Sequence, residues 1–153
     1  MGKRRMAREM ATQMLYQSEM GASAAAQVLA SFDFHDYLSQ APGDYPTRRR
    51  LVEEAFGYAK QLVEGALAHR EEIDERIRSQ ADNWRLERMP AVDRNILRLA
   101  VYEMFYHRDT PDLVVVDEAI ELAKKFGSEQ SGRFINGLLD GLIRARQAAP
   151  SAR

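Results

Sequence analysis

Residues that break helices are few in this chain, and they are concentrated in six places. The sequence contains nine glycines and five prolines. The segments between them are long and rich in Ala, Leu, Glu, Arg and Met, which favour helices. The breaks lie at 21–23, 41–46, near 69, 89–90, 109–112 and 127–128. We therefore predict an all-α protein of about seven helices in two small helical bundles that form one compact domain.

The predicted domain spans residues 1–149. Its N-terminal helical half covers about 1–69 and its C-terminal half about 70–147, and residues 150–153 form a tail.

Apolar spacing supports this assignment. An i, i+3/i+4 stripe predicts an amphipathic helix from Thr47, and a segment from Pro90 that is apolar nearly all round predicts a central helix. Glu103 lies in that apolar sector, and we favour a buried carboxylate held by an Arg or by backbone donors over a catalytic acid. The stripe of the helix that starts near Thr47 consists of Leu51, Val52, Ala55, Phe56, Ala59, Leu62, Val63 and Ala66.

Later segments give three further predictions. The run Val114–Val116 is too short for an independent strand and continues into a helix that ends at Gly127. Ser128 is predicted to cap the next helix. The G-x-x-x-G spacing of Gly137 and Gly141 predicts the close approach of a neighbouring helix.

The sequence lacks the motifs of several classes of function. The chain has no cysteine, which fits a reducing cytoplasm and excludes thiolate metal sites. Its N-terminus lacks an apolar signal-peptide region, and no run is long enough to span a membrane. The three histidines have no metal-ligand spacing, and there is no phosphate-binding glycine loop. We predict a non-enzymatic protein without metal or cofactor.

Positive charge is concentrated at the N-terminus. The net charge is only −1, yet the first eight residues hold four cations, Lys3, Arg4, Arg5 and Arg8, and no acid. On a helix, Ala7, Met10, Ala11, Met14 and Leu15 form one apolar stripe. Tyr16 falls on the opposite face, together with Arg5, Arg8 and Thr12. Cations can neutralise phosphates while an aromatic ring stacks on an unpaired base, which favours single-stranded RNA. A tyrosine that covers a neighbouring loop is the alternative.

A second basic-aromatic pair lies near the C-terminus. Phe134 falls about 100° from the buried stripe of the last helix, on the side of Gln130 and Arg133. Without further information, Phe134 at the margin of the core is equally compatible with the pattern.

Three motifs in order resemble the NusB family of bacterial transcription antitermination factors. The first is RRMARE at 4–9 with LYQ at 15–17, and the second is WRLERMPAVDRNILRLAVYE at 84–103. The third is EAIELAKKFG at 118–127 followed by FINGLLD at 134–140. The resemblance extends from residue 4 to about 143.

The resemblance implies an all-helical RNA-binding protein that pairs with NusE, a ribosomal small-subunit protein. The pair would bind the boxA element of nascent ribosomal RNA and help RNA polymerase to read through terminators. The family's RNA-binding residues would correspond to Lys3, Arg4, Arg5, Arg8, Tyr16, Arg133 and Phe134. Its acidic contacts with NusE would correspond to Glu87 and Asp93.

The chain departs from the family pattern at two positions: Asp117 stands where Asn is frequent, and Gln130 stands where an acid is common. The absence of an acid at 130 removes repulsion of RNA phosphate near Arg133 and predicts firm RNA binding even without the partner. Arg48, Arg49 and Arg50 match no family signature, and we favour local pairing with acids over RNA contact.

The alternative function is a helical regulatory or scaffold module of an RNA-modifying enzyme, without catalysis of its own.

Overall fold

The computed structural model describes residues 2–81 and 84–148. Within this part of the chain it contains eight α-helices and a short 3₁₀ helix, and no strand. The all-α prediction is confirmed. The chain divides after Ala68 into two compact units. The predicted tail at 150–153 lies outside the described residues.

The first unit is built on the pairing of two long helices. Helix α1 (Lys3–Gly21) packs along α4 (Tyr45–Ala68), and the short helices α2 (Ala25–Ser31) and α3 (His35–Gln40) pack against α4. Most of the predicted α4 stripe is fully buried, whereas Leu51 and Phe56 are only partly so. The amphipathic pattern thus identified the face of α4 that forms the core.

The second unit is arranged around one helix. Helix α6 (Ala91–Phe105) contacts α5 (Arg70–Gln80), α7 (Asp112–Phe126) and α8 (Ser131–Ala148). A 3₁₀ helix, Leu86–Arg88, precedes α6. All residues of α6 from 93 to 104 are buried, which confirms the predicted central position. The run at 114–116, predicted to be too short for a strand, lies inside α7.

Buried and half-buried ion pairs hold the helices of the second unit in register. The Arg98 guanidinium donates to both carboxylate oxygens of Asp74, with Nε–Oδ1 2.8 Å and Nη2–Oδ2 3.1 Å. Arg146 of α8 donates to the Met104 carbonyl oxygen at 2.9 Å and also pairs with Asp112 at the start of α7. The first pair joins α5 to α6, and the second joins α8 to α6 and α7.

All six predicted breaks occur, and the structure adds one that contains neither glycine nor proline. The chain leaves α2 at Phe32 and enters α3 at His35. The Asp33 carboxylate accepts a hydrogen bond from the His35 N–H at 2.9 Å. The rings of Phe32 and Phe34 lie 6.0 and 5.5 Å from that of Phe56 in α4. This break is therefore set by a local Asx turn and by the packing of two aromatic rings on another helix.

The turn between α7 and α8 differs in detail from the prediction. Gly127 ends α7 as predicted, but its backbone is extended rather than left-handed. A Cβ there would lie 2.5 Å from Ser131 Oγ and 2.9 Å from the Ala123 carbonyl oxygen. Position 127 therefore has no room for a side chain, and only glycine fits there. Helix α8 begins at Ser131, and the Ser131 hydroxyl accepts a hydrogen bond from the Ser128 N–H at 2.9 Å.

The G-x-x-x-G prediction is confirmed at one of its two positions. A Cβ on Gly141 would overlap the side-chain amide of Gln80 in α5, so the neighbouring helix does approach closely there. No atom lies within 4 Å of a Cβ on Gly137, and the prediction is wrong at that position. Gly137 is exposed.

Candidate nucleic-acid interface

Helix α1 presents Tyr16 to solvent, as its helical phase predicts. The five residues of the apolar stripe have at most 2% of their surface exposed, whereas Tyr16 has 38%. The core side of α1 is therefore correctly predicted. The exposed ring is available for stacking, which requires one free aromatic face.

The cations at the start of α1 divide into an exposed group and a buried one. Lys3, Arg4 and Arg5 are exposed. Lys3 Nζ lies 3.3 Å from Glu54 Oε1. Arg4 donates to the Tyr58 hydroxyl at 3.0 Å, and its guanidinium carbon lies 4.5 Å from the centre of the Tyr58 ring. Both partners belong to α4, so that helix orients the basic end of α1.

Arg8 differs from the expectation of a solvent-facing cation. It is only 4% exposed, and Thr12, predicted on the same face, is 3% exposed. The Thr12 hydroxyl donates to the Arg8 carbonyl oxygen at 2.8 Å. The physical reason is that α1 is buried on every side from residue 6 to residue 12. A single amphipathic stripe does not describe such a helix.

The second basic-aromatic pair has the exposure that its phase predicts. Arg133 and Gln130 are exposed, and Phe134 is partly buried. The Phe134 ring packs edge-on against Trp84, with a centre-to-centre distance of 5.6 Å and an interplanar angle of 65°. Trp84 itself is 58% exposed. Phe134 therefore belongs to a surface aromatic pair.

Two grooves meet at Arg133. The first, which we call the aromatic groove, has a volume of about 370 Å³. The second, between the end of α7 and the start of α8, has a volume of about 600 Å³ and is lined by Lys124, Ser128 and Glu129 among others. Arg133 lines both grooves. The aromatic groove is lined by Gln80, Ala81, Trp84, Arg133, Phe134, Gly137 and Leu138.

The two acids predicted for a protein interface lie in different environments. Glu87 is exposed and pairs with Arg78, with Oε2–Nη2 2.9 Å. The hydrogen bond from Arg78 holds the pKa of the Glu87 carboxyl below its usual value. Asp93 is only 4% exposed, and its Oδ1 accepts a hydrogen bond from the Ser131 hydroxyl at 2.7 Å.

The burial of Asp93 is contrary to the expectation of a surface acid. Asp93 lies in the first turn of α6, where the helix dipole favours a carboxylate. The Asp93 carboxylate faces the start of α8. Its hydrogen bond with Ser131 joins the two helices.

The structure also accounts for two polar residues outside the candidate interface, Glu103 and Arg49. Glu103 is 1% exposed, which confirms the predicted burial of its carboxylate. The prediction of local pairing is confirmed for Arg49, whose Nε lies 2.9 Å from Glu53 Oε2 one turn later. That hydrogen bond raises the pKa of the Arg49 guanidinium.

Trp84 and Tyr58 were not among the predicted site residues. Trp84 is the only tryptophan of the chain, and tryptophan is a residue type that is enriched at interfaces. Tyr58 lies beside Arg4 only because α1 packs on α4, so its proximity could not be read from its own segment.

Residues 2–81 and 84–148 provide neither a metal-binding cluster nor a membrane-spanning helix. No group of three or more His, Asp or Glu side chains there could hold a metal ion. None of the described helices is both long and apolar enough to cross a bilayer.

An all-helical fold that exposes cations and an aromatic ring on α1, and an arginine beside an aromatic pair on α8, is typical of a nucleic-acid-binding protein. Comparison with known proteins then identifies the family. The NusB family model matches residues 5–144. The chain belongs to the NusB family.

Relatives and solved structures agree with this assignment. The transcription antitermination protein NusB of Myxococcus xanthus is 44% identical over 140 residues, which cover 92% of this chain and 94% of the relative. The structure of NusB from T. maritima is 34% identical with a TM-score of 0.75, covering 98% of this chain and 94% of that one. A chain from the crystal structure of antitermination factors NusB and NusE in complex with dsRNA is 28% identical, with a TM-score of 0.72 and coverage of 94% and 97%.

Proposed function

We propose that this chain is an RNA-binding transcription antitermination factor. With NusE, it binds boxA-type single-stranded RNA in nascent ribosomal RNA transcripts and promotes terminator read-through by RNA polymerase. The observation that carries the proposal is the family match over residues 5–144, which includes the exposed Arg5 and Tyr16 of α1. The protein acts in the cytoplasm as part of the antitermination complex, without catalysis and without a metal or cofactor.

The proposed RNA-binding residues have two roles. Lys3, Arg4, Arg5 and Arg133 are exposed cations that neutralise phosphates. Tyr16 is exposed and Phe134 partly so, and these two rings stack on unpaired bases.

Arg8 acts differently from the other cations. Because it is buried, its contribution is to hold the basic segment of α1 in place rather than to meet solvent-exposed phosphate.

The two acids also have separate roles in the proposed NusE interface. Glu87 is the exposed acid and contacts basic residues of the partner directly. Asp93 positions the start of α8 through Ser131 and so supports the interface from behind.

Filter binding with a boxA-containing single-stranded RNA, with and without NusE, tests the proposal. We expect saturable binding that NusE strengthens and that a scrambled RNA does not reproduce. The related complex contains double-stranded RNA, so a duplex of the same sequence belongs in the experiment. Stronger binding of the duplex would contradict stacking on unpaired bases.

Tyr16→Ala tests the stacking role within the same assay. Loss of one base stack of about 1–3 kcal/mol lowers the affinity by about 5- to 150-fold, with the salt dependence unchanged. Gln17→Ala is the matched control, because Gln17 is the exposed neighbour on α1. Equal affinities of the two variants would show that Tyr16 does not contact RNA.

A further inference from the structure

Gly137 occupies a position that its own fold does not require. It lies within α8, where glycine is the least favourable residue apart from proline. Its backbone is helical, and no atom lies within 4 Å of the position of a Cβ. Neither conformation nor packing therefore explains the absence of a side chain. What the missing side chain does leave is space along one wall of the aromatic groove.

The other walls of the groove carry binding chemistry. Trp84 and Phe134 meet edge to face at 5.6 Å, the preferred geometry of an aromatic pair, and 58% of Trp84 is still exposed. Arg133, which is exposed, lines the same groove. Gln80, another lining residue, offers an amide that both donates and accepts hydrogen bonds.

We propose that the aromatic groove binds one unpaired base of the RNA, stacked on Trp84 above Gly137, with the adjoining phosphate at Arg133. This inference rests on the proposed function and extends it by a base-binding subsite. The flat aromatic surface and the open space fit a planar base, and the cation fits the negative charge next to it. A base within a duplex cannot enter, because both of its faces are already stacked.

Trp84 provides a direct optical test, because it is the only tryptophan. The full-length protein is titrated with boxA-containing single-stranded RNA while tryptophan fluorescence and filter retention are followed. We expect saturable quenching with the same midpoint as retention. The duplex of the same sequence should not quench.

Gly137→Leu fills the groove without removing any contact. Since nothing lies near the Cβ position and leucine favours helices, the melting temperature should not fall. We expect the quenching to disappear and the affinity for single-stranded RNA to fall by about 5- to 150-fold, the range for one base stack. Asn136→Leu is the matched control, since it adds the same side chain at an exposed neighbouring position that does not line the groove.

The outcomes separate this inference from the proposed function. RNA binding by the wild-type protein without quenching, and with Gly137→Leu equal to Asn136→Leu, would overturn the groove and leave the function intact. Failure of the wild-type protein to bind RNA would overturn both. If NusE alone quenched Trp84 and Gly137→Leu weakened NusE binding but not RNA binding, the groove would be a protein contact and the inference would be wrong.

Discussion

Arg5 and Arg8 are one helical turn apart on α1, and substitution of each by glutamine should have opposite consequences. Arg5 is exposed, whereas Arg8 is 4% exposed. A cation that neutralises one phosphate of single-stranded RNA contributes about 0.7 to the slope of log K against log salt. Arg5→Gln should therefore flatten the slope by about 0.7. The wild-type protein binds more tightly than Arg5→Gln at low salt, and its advantage in affinity should shrink by about 2.6-fold when the salt is raised from about 50 to 200 mM.

Arg8→Gln should leave that slope unchanged and destabilise the protein instead. Arg8 interacts with other residues, and loss of its guanidinium leaves buried polar groups unsatisfied at a cost of about 1–3 kcal/mol. For a chain of this length, each kcal/mol lowers the melting temperature by roughly 2–4 °C. Arg5→Gln should lower the melting temperature much less, because Arg5 is exposed and its positive charge in the first turn of a helix opposes the helix dipole.

The assay combines filter binding of a boxA-containing single-stranded RNA at four or more salt concentrations with thermal melting followed by circular dichroism. The wild-type protein is the reference for both the slope and the melting temperature. If Arg8→Gln flattened the slope as much as Arg5→Gln and melted like the wild-type protein, Arg8 would contact phosphate. The assignment of roles from burial would then be refuted.

Three further predictions concern binding and stability. Gln130→Asp should weaken RNA binding by about fivefold, because the new carboxylate repels RNA phosphate near Arg133 with roughly 1 kcal/mol of Coulomb energy. Filter binding should show no effect of Gln130→Ala. Equal affinities of the two variants would contradict this prediction. Arg98→Met leaves the buried Asp74 carboxylate with only the longer ion pair to Arg70 (Nε–Oδ2 3.8 Å), so urea denaturation should show a loss of about 3 kcal/mol, at the lower end of the range for a broken buried pair. Combination with Asp74→Leu should recover much of it, and a double variant as unstable as the single one would disprove the pairing argument. Ala22 has a left-handed backbone with φ 51°, so Ala22→Gly should raise stability by about 0.5–1 kcal/mol; an unchanged melting temperature would argue against strain there.

Helical segments and their buried faces were the most predictable features. The stripe of α1 and the central position of α6 follow from residue spacing, because a side chain on a regular helix has a fixed angular position. The same rule correctly placed Tyr16 and Arg133 at the surface. It could not place Arg8, since the angle of a side chain does not reveal how many sides of the helix are covered.

Asp93 and Trp84 show the same limit in the candidate site. The sequence displays Asp93 as an acid near a helix start, but its burial depends on Ser131, which lies 38 residues later in the chain. Trp84 and Phe134 are separated by 50 positions and form one aromatic pair only when α8 is packed in place. Long-range proximity of this kind has no local signal.

The sequence by itself determined the helices, their core-facing stripes, the concentration of charge at the N-terminus and the membership of the NusB family. These properties depend on neighbours within a few residues or on the order of motifs. The tertiary structure alone decided which cations stay exposed, which acid is buried, where the chain breaks between α2 and α3, and how the aromatic groove forms. Each of these depends on the desolvation of a group by helices distant in the chain, and desolvation is a property of the packed structure.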